Sequence, residues 1–314
     1  MPAAPITLPT PTTAAAAAIW SRAQLTDRLY IVYFILLGAL ILLRRGRVEA
    51  WPAFLLCHVA GLALVAWLVA NAARWPAAHA WYPVLLPLVT FPEIARLNLI
   101  VAGGWCDAPL LAAEAWLFLE SPTFWLRRMT PPLVAELFQV GYLSYFLLLP
   151  IVAGVLRRRG EDAPFRGVIA ASVLAYMLCY VAFLAVPMEG PVHTLRPLSG
   201  PPAFDGPFHA LVRLVQRAGV HGNAFPSAHV AGALPPLIFA CRYLPRLGAV
   251  MTLLVALMGV GAVYDGYHYA SDVVAGAVVG AVAAAIVLAI QRSPAWTARL
   301  DPPAAADSVP TSQA

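Results

Sequence analysis

Two short blocks of this 314-residue chain hold residue types suited to acid–base and nucleophilic work: Phe225-Pro226-Ser227-Ala228-His229 and Tyr267-His268-Tyr269-Ala270-Ser271-Asp272. Each stands at the mouth of a long apolar run, where an imidazole or a carboxylate is costly unless it is partnered or working. Proline suits the first turn of a helix, where its missing N–H has no partner anyway. The free amides of such a turn, with the Ser227 hydroxyl, suit phosphate oxygens. His229, one turn in, is placed to act as an acid or base. His268 and Asp272 are four residues apart, so a helix starting near His268 puts them on one face. The carboxylate then accepts one imidazole N–H and leaves the other nitrogen as a nucleophile toward phosphorus. Each block also has a plainer reading, as an N-cap or capping aspartate beside an interfacial histidine.

A third polar element is the loop 186–197, with Glu189, His193 and Arg196. Arg196 is its best cation for a phosphate, being planar and multidentate; an arginine touching lipid headgroups fits equally well. Phe208–Ala218 sets Leu211 and Val215 against Arg213 and Arg217, the pattern of an interfacial anchor.

The elements that must carry these blocks are membrane helices. Hydrophobic residues make up 61% of the chain and charged ones 11%, against roughly 25% charged in soluble domains. Mean hydropathy is +0.77. The expected fold class is an all-α integral membrane protein, a polytopic bundle of about seven helices, within limits of six and eight. Clear apolar runs are 29–43, 51–70, 133–156, 167–186, 228–243, 247–263 and 272–290. The net charge of +5 comes from arginine alone, since the chain has no lysine. Because the arginines cluster at the ends of apolar runs, they read as topology signals and not as a nucleic-acid footprint. Cys57, Cys106, Cys179 and Cys241 are scattered, which supports neither a disulfide framework nor a zinc site.

Arginine placement orients the chain. Arg157, Arg158, Arg159 and Arg166 fall in one connection, Arg242 and Arg246 mark the next turn on that side, and Arg292 follows the last apolar run. The positive-inside rule puts these in the cytoplasm and both histidine blocks on the opposite face. Arg44, Arg45 and Arg47 then favour an external amino terminus and seven spans, provided 81–102 does not cross. That segment carries Pro83, Pro87, Pro92, Glu93, Arg96 and Asn98, and each charge at the bilayer centre costs about 2.5–3.5 kcal/mol. If it crosses, there are eight spans and an internal amino terminus. No basic stretch precedes Arg22, so no cleaved signal peptide is expected. The expected organisation is a disordered segment over 1–24, amino-terminal spans and an interfacial segment over 25–130, a catalytic membrane domain over 131–292, and a disordered tail over 293–314.

Taken together, over roughly residues 130–291, the blocks resemble the type 2 phosphatidic acid phosphatase superfamily of membrane phosphatases and phosphotransferases. Its pattern is Lys-x6-Arg-Pro, then Pro-Ser-Gly-His, then Ser-Arg-x5-His-x3-Asp. The phrases 224–230 and 264–276 look most like the branch containing inositolphosphorylceramide synthase. The resemblance implies that His268 attacks phosphorus and forms a phosphohistidine, that Asp272 orients it, and that His229 protonates the leaving group. It also implies that Arg196, Ser227 and Ala228 bind phosphoryl oxygens, with no cofactor and no metal. Water or an acceptor alcohol then takes the phosphoryl group. The implied partners are a phosphorylated lipid and the bilayer, with no nucleic acid.

This chain departs from the pattern at several points. Glu189 stands seven residues before Arg196 where the family has lysine, and Gly261-Ala262 replaces Ser-Arg. Related branches carry arginine at the positions of Val192 and Gly266. Losing a charge-assisted hydrogen bond costs about 1.5–3 kcal/mol, so Arg213, Arg217 or His193 must substitute, or activity falls. The alternative reading is a weak or inactive relative that binds lipid phosphates or scaffolds membrane partners. The Ala- and Arg-rich, lysine-free composition points to a GC-rich bacterial genome, hence to the inner (plasma) membrane with the site facing the periplasm or exterior.

Overall fold

The computed structural model describes residues 11–195, 206–217, 219–294 and 298. Among these there is no strand; apart from a 3-10 turn at Arg45–Arg47 and the connecting loops, all is α-helix. Six helices are long and apolar enough to cross a bilayer: Leu25–Leu43, Trp51–Ala70, Pro132–Arg158, Asp162–Ala185, Pro245–Tyr264 and Ala270–Gln291. Such runs match the roughly 20 residues that a hydrocarbon core demands. The chain is an all-helical integral membrane protein.

Two compact units divide the chain. The first comprises Met1–Arg45, Ala50–Tyr82 and Ile290–Ala314. It holds α1 (Pro11–Arg22), α2 (Leu25–Leu43), α3 (Trp51–Ala70) and most of α4 (Pro76–Leu85). Composition suggests disorder over 1–24, yet Pro11–Arg22 is helical. Its run of alanines, the strongest helix former, accounts for this. Near the start of α2, buried Asp27 accepts the Gln24 amide at 2.7 Å and the Tyr82 hydroxyl at 2.5 Å, and lies 3.1 Å from His79 Nε2.

The second unit, Gly46–Glu49 with Pro83–Ala289, carries the histidine blocks. Its helices are α5 (Pro87–Leu97), α6 (Asp107–Phe118), α7 (Pro122–Met129), α8 (Pro132–Arg158), α9 (Asp162–Ala185), α10 (Pro191–Thr194), α11 (Pro207–Gln216), α12 (Ala228–Tyr243), α13 (Pro245–Tyr264) and α14 (Ala270–Gln291). The segment 81–102 forms no continuous span: α4 has 10 residues and α5 has 11. Pro83, Pro87 and Pro92 each remove a backbone donor there.

Helix α12 is the expected span that comes out short, at 16 residues. At 1.5 Å per residue it covers about 24 Å, less than a hydrocarbon core of about 30 Å. It packs against α8, α9 and α13, and Val230, Ala231, Ala233, Phe239 and Ala240 are buried. A helix enclosed by its neighbours need not match the lipid. Helix α14 meets α12 through the small-residue stripe: a Cβ on Gly276 would stand 2.4 Å from the Ser227 carbonyl oxygen, and one on Gly280 would stand 2.5 Å from that of Ala231. With little hydrophobic drive between helices in lipid, such close backbone approach supplies the packing.

Chain direction sets where the polar blocks meet. Short connections join α8 to α9 and α12 to α13, and these carry the arginine pairs. The start of α12, the end of α13 and the start of α14 therefore share the other end of this unit.

Candidate active site

His268 sits in the loop between α13 and α14, just ahead of the helix, which begins at Ala270. The sequence suggests a helix from near His268 and a direct imidazole–carboxylate bond. Instead, Nδ1 lies 2.9 Å from the Ala224 carbonyl oxygen and 3.5 Å from Asp272 Oδ2. Starting the helix two residues later puts Asp272 in its first turn, where Oδ2 accepts the Tyr269 amide at 2.8 Å. That is the plainer, capping role of such an aspartate. A carbonyl only accepts, so Nδ1 carries the proton and Nε2 keeps its lone pair. Asp272 is fully buried, and its Oδ1 has no hydrogen-bond partner among the described residues. His268 is 5% exposed. Burial pushes its imidazole from the ordinary value down to about 4, the Ala224 carbonyl pulling part of the way back.

His229 lies in the first turn of α12, its ring centroid 5.8 Å from that of His268 and edge-on to it. Its Nε2 is 3.1 Å from the Tyr142 hydroxyl, whose oxygen accepts from Gln216 Nε2 at 2.6 Å. Tyr145 stands on another side with a ring separation of 4.8 Å and hydrogen-bonds Tyr176. Nothing in the sequence singles out this aromatic cage. Tyr142 and Tyr145 are spaced as two neighbours on one face of an apolar helix, a pattern that core packing produces as readily.

Ser227 is the N-cap of α12: fully buried, its hydroxyl oxygen accepts the Val230 amide at 3.4 Å. Its own amide donates to the Asp272 carbonyl oxygen at 2.9 Å. This single backbone bond ties the two histidine blocks together. Ala228 is buried beside it. Arg196 lies outside the described residues. Arg213 and Arg217 are on and just after α11, with Arg213 half-buried and Arg217 exposed.

Carboxylates from α6 hold the surrounding loops. Asp107 accepts the amides of Glu189 and Gly190, each at 2.9 Å, and the Tyr269 hydroxyl at 3.3 Å. Glu114 accepts both the amide and the hydroxyl of Ser271 at 3.0 Å. Gly190 adopts φ +92°, and a Cβ there would stand 2.9 Å from that of Ala224. The close approach of the two loops requires glycine. The Ala224 amide donates to Met188 O at 3.3 Å, so the carbonyl that orients His268 is held through its own residue.

Helix α7 fixes the turn that leads to His268. Thr123 Oγ1 donates to the Val263 carbonyl, and Arg127 donates through Nε to Tyr264 O and through Nη2 to Asp265 O, all at 2.9 Å. Thr123, Arg127, Pro191, Val192, Leu195, Asp265 and Gly266 line one recess. Arg127 Nη2 stands 3.8 Å from where a Gly266 Cβ would be. A guanidinium therefore occupies the neighbourhood of the two missing arginines, reached from a helix 137 residues earlier than the Tyr264 it binds. Sequence distance hid it.

The model of the PAP2 superfamily matches residues 108–286, more than half of the chain, taking in α6 and α7 as well as both histidine blocks. Searches of curated proteins and of solved structures find no match.

Proposed function

This chain belongs to the PAP2 superfamily, and from that premise we propose that it is a phosphatase or phosphotransferase acting on the phosphorylated head of a lipid through a phosphohistidine. The observation that carries this reading is the orientation of His268, with Nδ1–H directed to Ala224 O and Asp272 nearby and Nε2 left as the nucleophile. The Nε2 lone pair attacks phosphorus, and the bond from phosphorus to the leaving oxygen breaks. His229, entering as the imidazolium, gives that oxygen its proton and is left neutral. Buried Asp272 stabilises the positive charge that develops on the modified imidazole. Water or an acceptor alcohol then attacks, loses its proton to His229, and the phosphorus–nitrogen bond breaks. No step uses a metal.

We assign phosphoryl-oxygen binding to Arg196, Ser227 and Ala228, and residues 131–292 to the catalytic domain. The likeness of the phrases 224–230 and 264–276 to the inositolphosphorylceramide synthase branch supports a specificity of that kind. The arginine-bearing turns at the opposite end support a site on the extracytoplasmic face, in a bacterial inner membrane.

The test is a panel of lipid phosphates and phosphodiesters, with and without acceptor alcohols, scored for free phosphate and for new head-group products. His268→Ala in purified protein abolishes both. Turnover unchanged in that variant eliminates the mechanism. The absence of lysine, with Val192 and Gly266 where related branches carry arginine, favours a second reading: a lipid-phosphate-binding relative with little catalysis. Turnover discriminates, since an active site releases phosphate or a new head-group product and a site that only binds does not.

A further inference from the structure

Glu189, His193 and His221 stand apart from the residues assigned to the reaction. Glu189 and His193 belong to the loop after α9 and to α10, whereas His221 lies in the segment before α12. Their potential ligand atoms all fall within 4.8 Å of one another. His221 Nε2 lies 2.8 Å from Glu189 Oε1. The two imidazole rings stack at 4.1 Å with 9° between their planes.

The scaffold beneath the three side chains is fixed. Asp107 holds the Glu189 and Gly190 amides. Asn98 Nδ2 donates to the His221 carbonyl at 3.2 Å, and Trp105 stacks on the His221 ring at 5.1 Å. Supporting contacts of this kind orient ligands in metal sites. Two imidazoles and one carboxylate are a donor set that Zn2+ takes when a further position is left to water or substrate. Bonds of about 2.0–2.2 Å in a tetrahedron put ligand atoms roughly 3.4 Å apart. The present spacings, 2.8 Å for His221 and Glu189 and at most 4.8 Å within the cluster, bracket that value, and both histidines are exposed, leaving their rings room to tilt toward one ion.

We propose that Glu189, His193 and His221 form a Zn2+ site that straps the loop after α9 to the segment leading into α12. Two and three residues beyond His221 come Asn223 and Ala224, whose carbonyl orients His268. The strap therefore acts on a positioning contact and takes no part in the transfer itself. The ion also reverses a charge. Glu189 alone puts a carboxylate near a site proposed for a phosphate, and bound Zn2+ makes the cluster net positive. That second effect rests on the phosphoryl reading, whereas binding of the ion does not.

The experiment uses the full chain in detergent, stripped with a chelator and titrated with Zn2+ by calorimetry, with Co2+ absorption as a second probe. The expected result is one ion per chain. Glu189→Gln, His193→Ala and His221→Ala each weaken binding by more than about 100-fold, beyond the 10–100-fold effect of losing a supporting contact. His268→Ala keeps the Zn2+ isotherm while losing turnover, so the two proposals fail separately. Co2+ also quenches a fraction of the tryptophan emission that Trp105→Phe removes. Should a histidine variant fail to fold, the near-isosteric Glu189→Gln decides. Absence of binding at micromolar Zn2+, or an isotherm unchanged in Glu189→Gln, overturns the proposal.

Discussion

His268 Nδ1 lies closer to the carbonyl oxygen of Ala224, at 2.9 Å, than to the Asp272 carboxylate, at 3.5 Å. The imidazole N–H donates to the backbone carbonyl, with the carboxylate standing just beyond hydrogen-bond reach. The backbone carbonyl fixes the tautomer, and in the proposed reaction the carboxylate supplies charge. These are separable roles that a two-residue histidine–aspartate pair would fuse.

That separation predicts a moderate loss for Asp272→Asn. The amide oxygen still accepts the Tyr269 amide, and Ala224 still orients the ring, so the fold and tautomer survive. Only charge stabilisation is removed, and kcat falls by about 100- to 1000-fold, the size of losing one preorganised electrostatic partner. The roughly 10,000-fold loss seen where the carboxylate also sets the tautomer would show that Ala224 does not hold the ring. Steady-state kinetics with KM measured separately makes the distinction.

The pH dependence follows from burial of His268. Its folded value is about 4, below the roughly 6.5 of a free imidazole. The proposed nucleophile is therefore neutral through the physiological range, and kcat/KM is expected to fall on the acid side only as pH drops through about 4. Stability follows the same sign: between about 4 and 6.5 the unfolded chain binds the extra proton, so the His268 contribution to stability rises with pH across that window and is flat above it. An acid limb near pH 6.5 in the kcat/KM profile would contradict the assignment.

Close packing of α12 on α14 predicts that Gly276→Ala destabilises the protein. The new methyl would stand 2.4 Å from the Ser227 carbonyl oxygen, so one helix must move. Overpacking of this kind costs about 1–3 kcal/mol. Because the Ser227 amide bonds the Asp272 carbonyl, the same shift disturbs both histidine blocks, and activity drops with stability. Gly46→Ala, with nothing within 4 Å, is the control, and thermal unfolding in detergent is the readout. Equal melting of the two variants would refute the packing argument.

Much of the fold is legible in the chain because lipid imposes a one-dimensional rule. Six of the seven expected spans reappear as helices long and apolar enough to cross. Prolines at 83, 87 and 92 announce that 81–102 is interrupted. Helix α12 escapes the rule, since its length answers to the helices around it and not to lipid. The pairing of His229 with His268 is readable from their places at helix mouths, and the Gly276–Gly280 stripe from its spacing. Tyr142, Asp107, Glu114 and Arg127 are not. Each joins the site from a distant segment and looks in sequence like any tyrosine or charge beside an apolar run.

The sequence by itself determined the class of the molecule, the two histidine blocks and their likeness to a phosphoryl-transferring family, because residue type, period and spacing are local properties. Only the tertiary structure decided what each group does with its hydrogen bonds. It gave the His268 N–H to Ala224, turned Asp272 into a buried cap, put Arg127 beside Gly266, and gathered Glu189, His193 and His221 into one cluster. Partner choice depends on which distant backbone arrives within about 3 Å, and that is a property of packing in three dimensions.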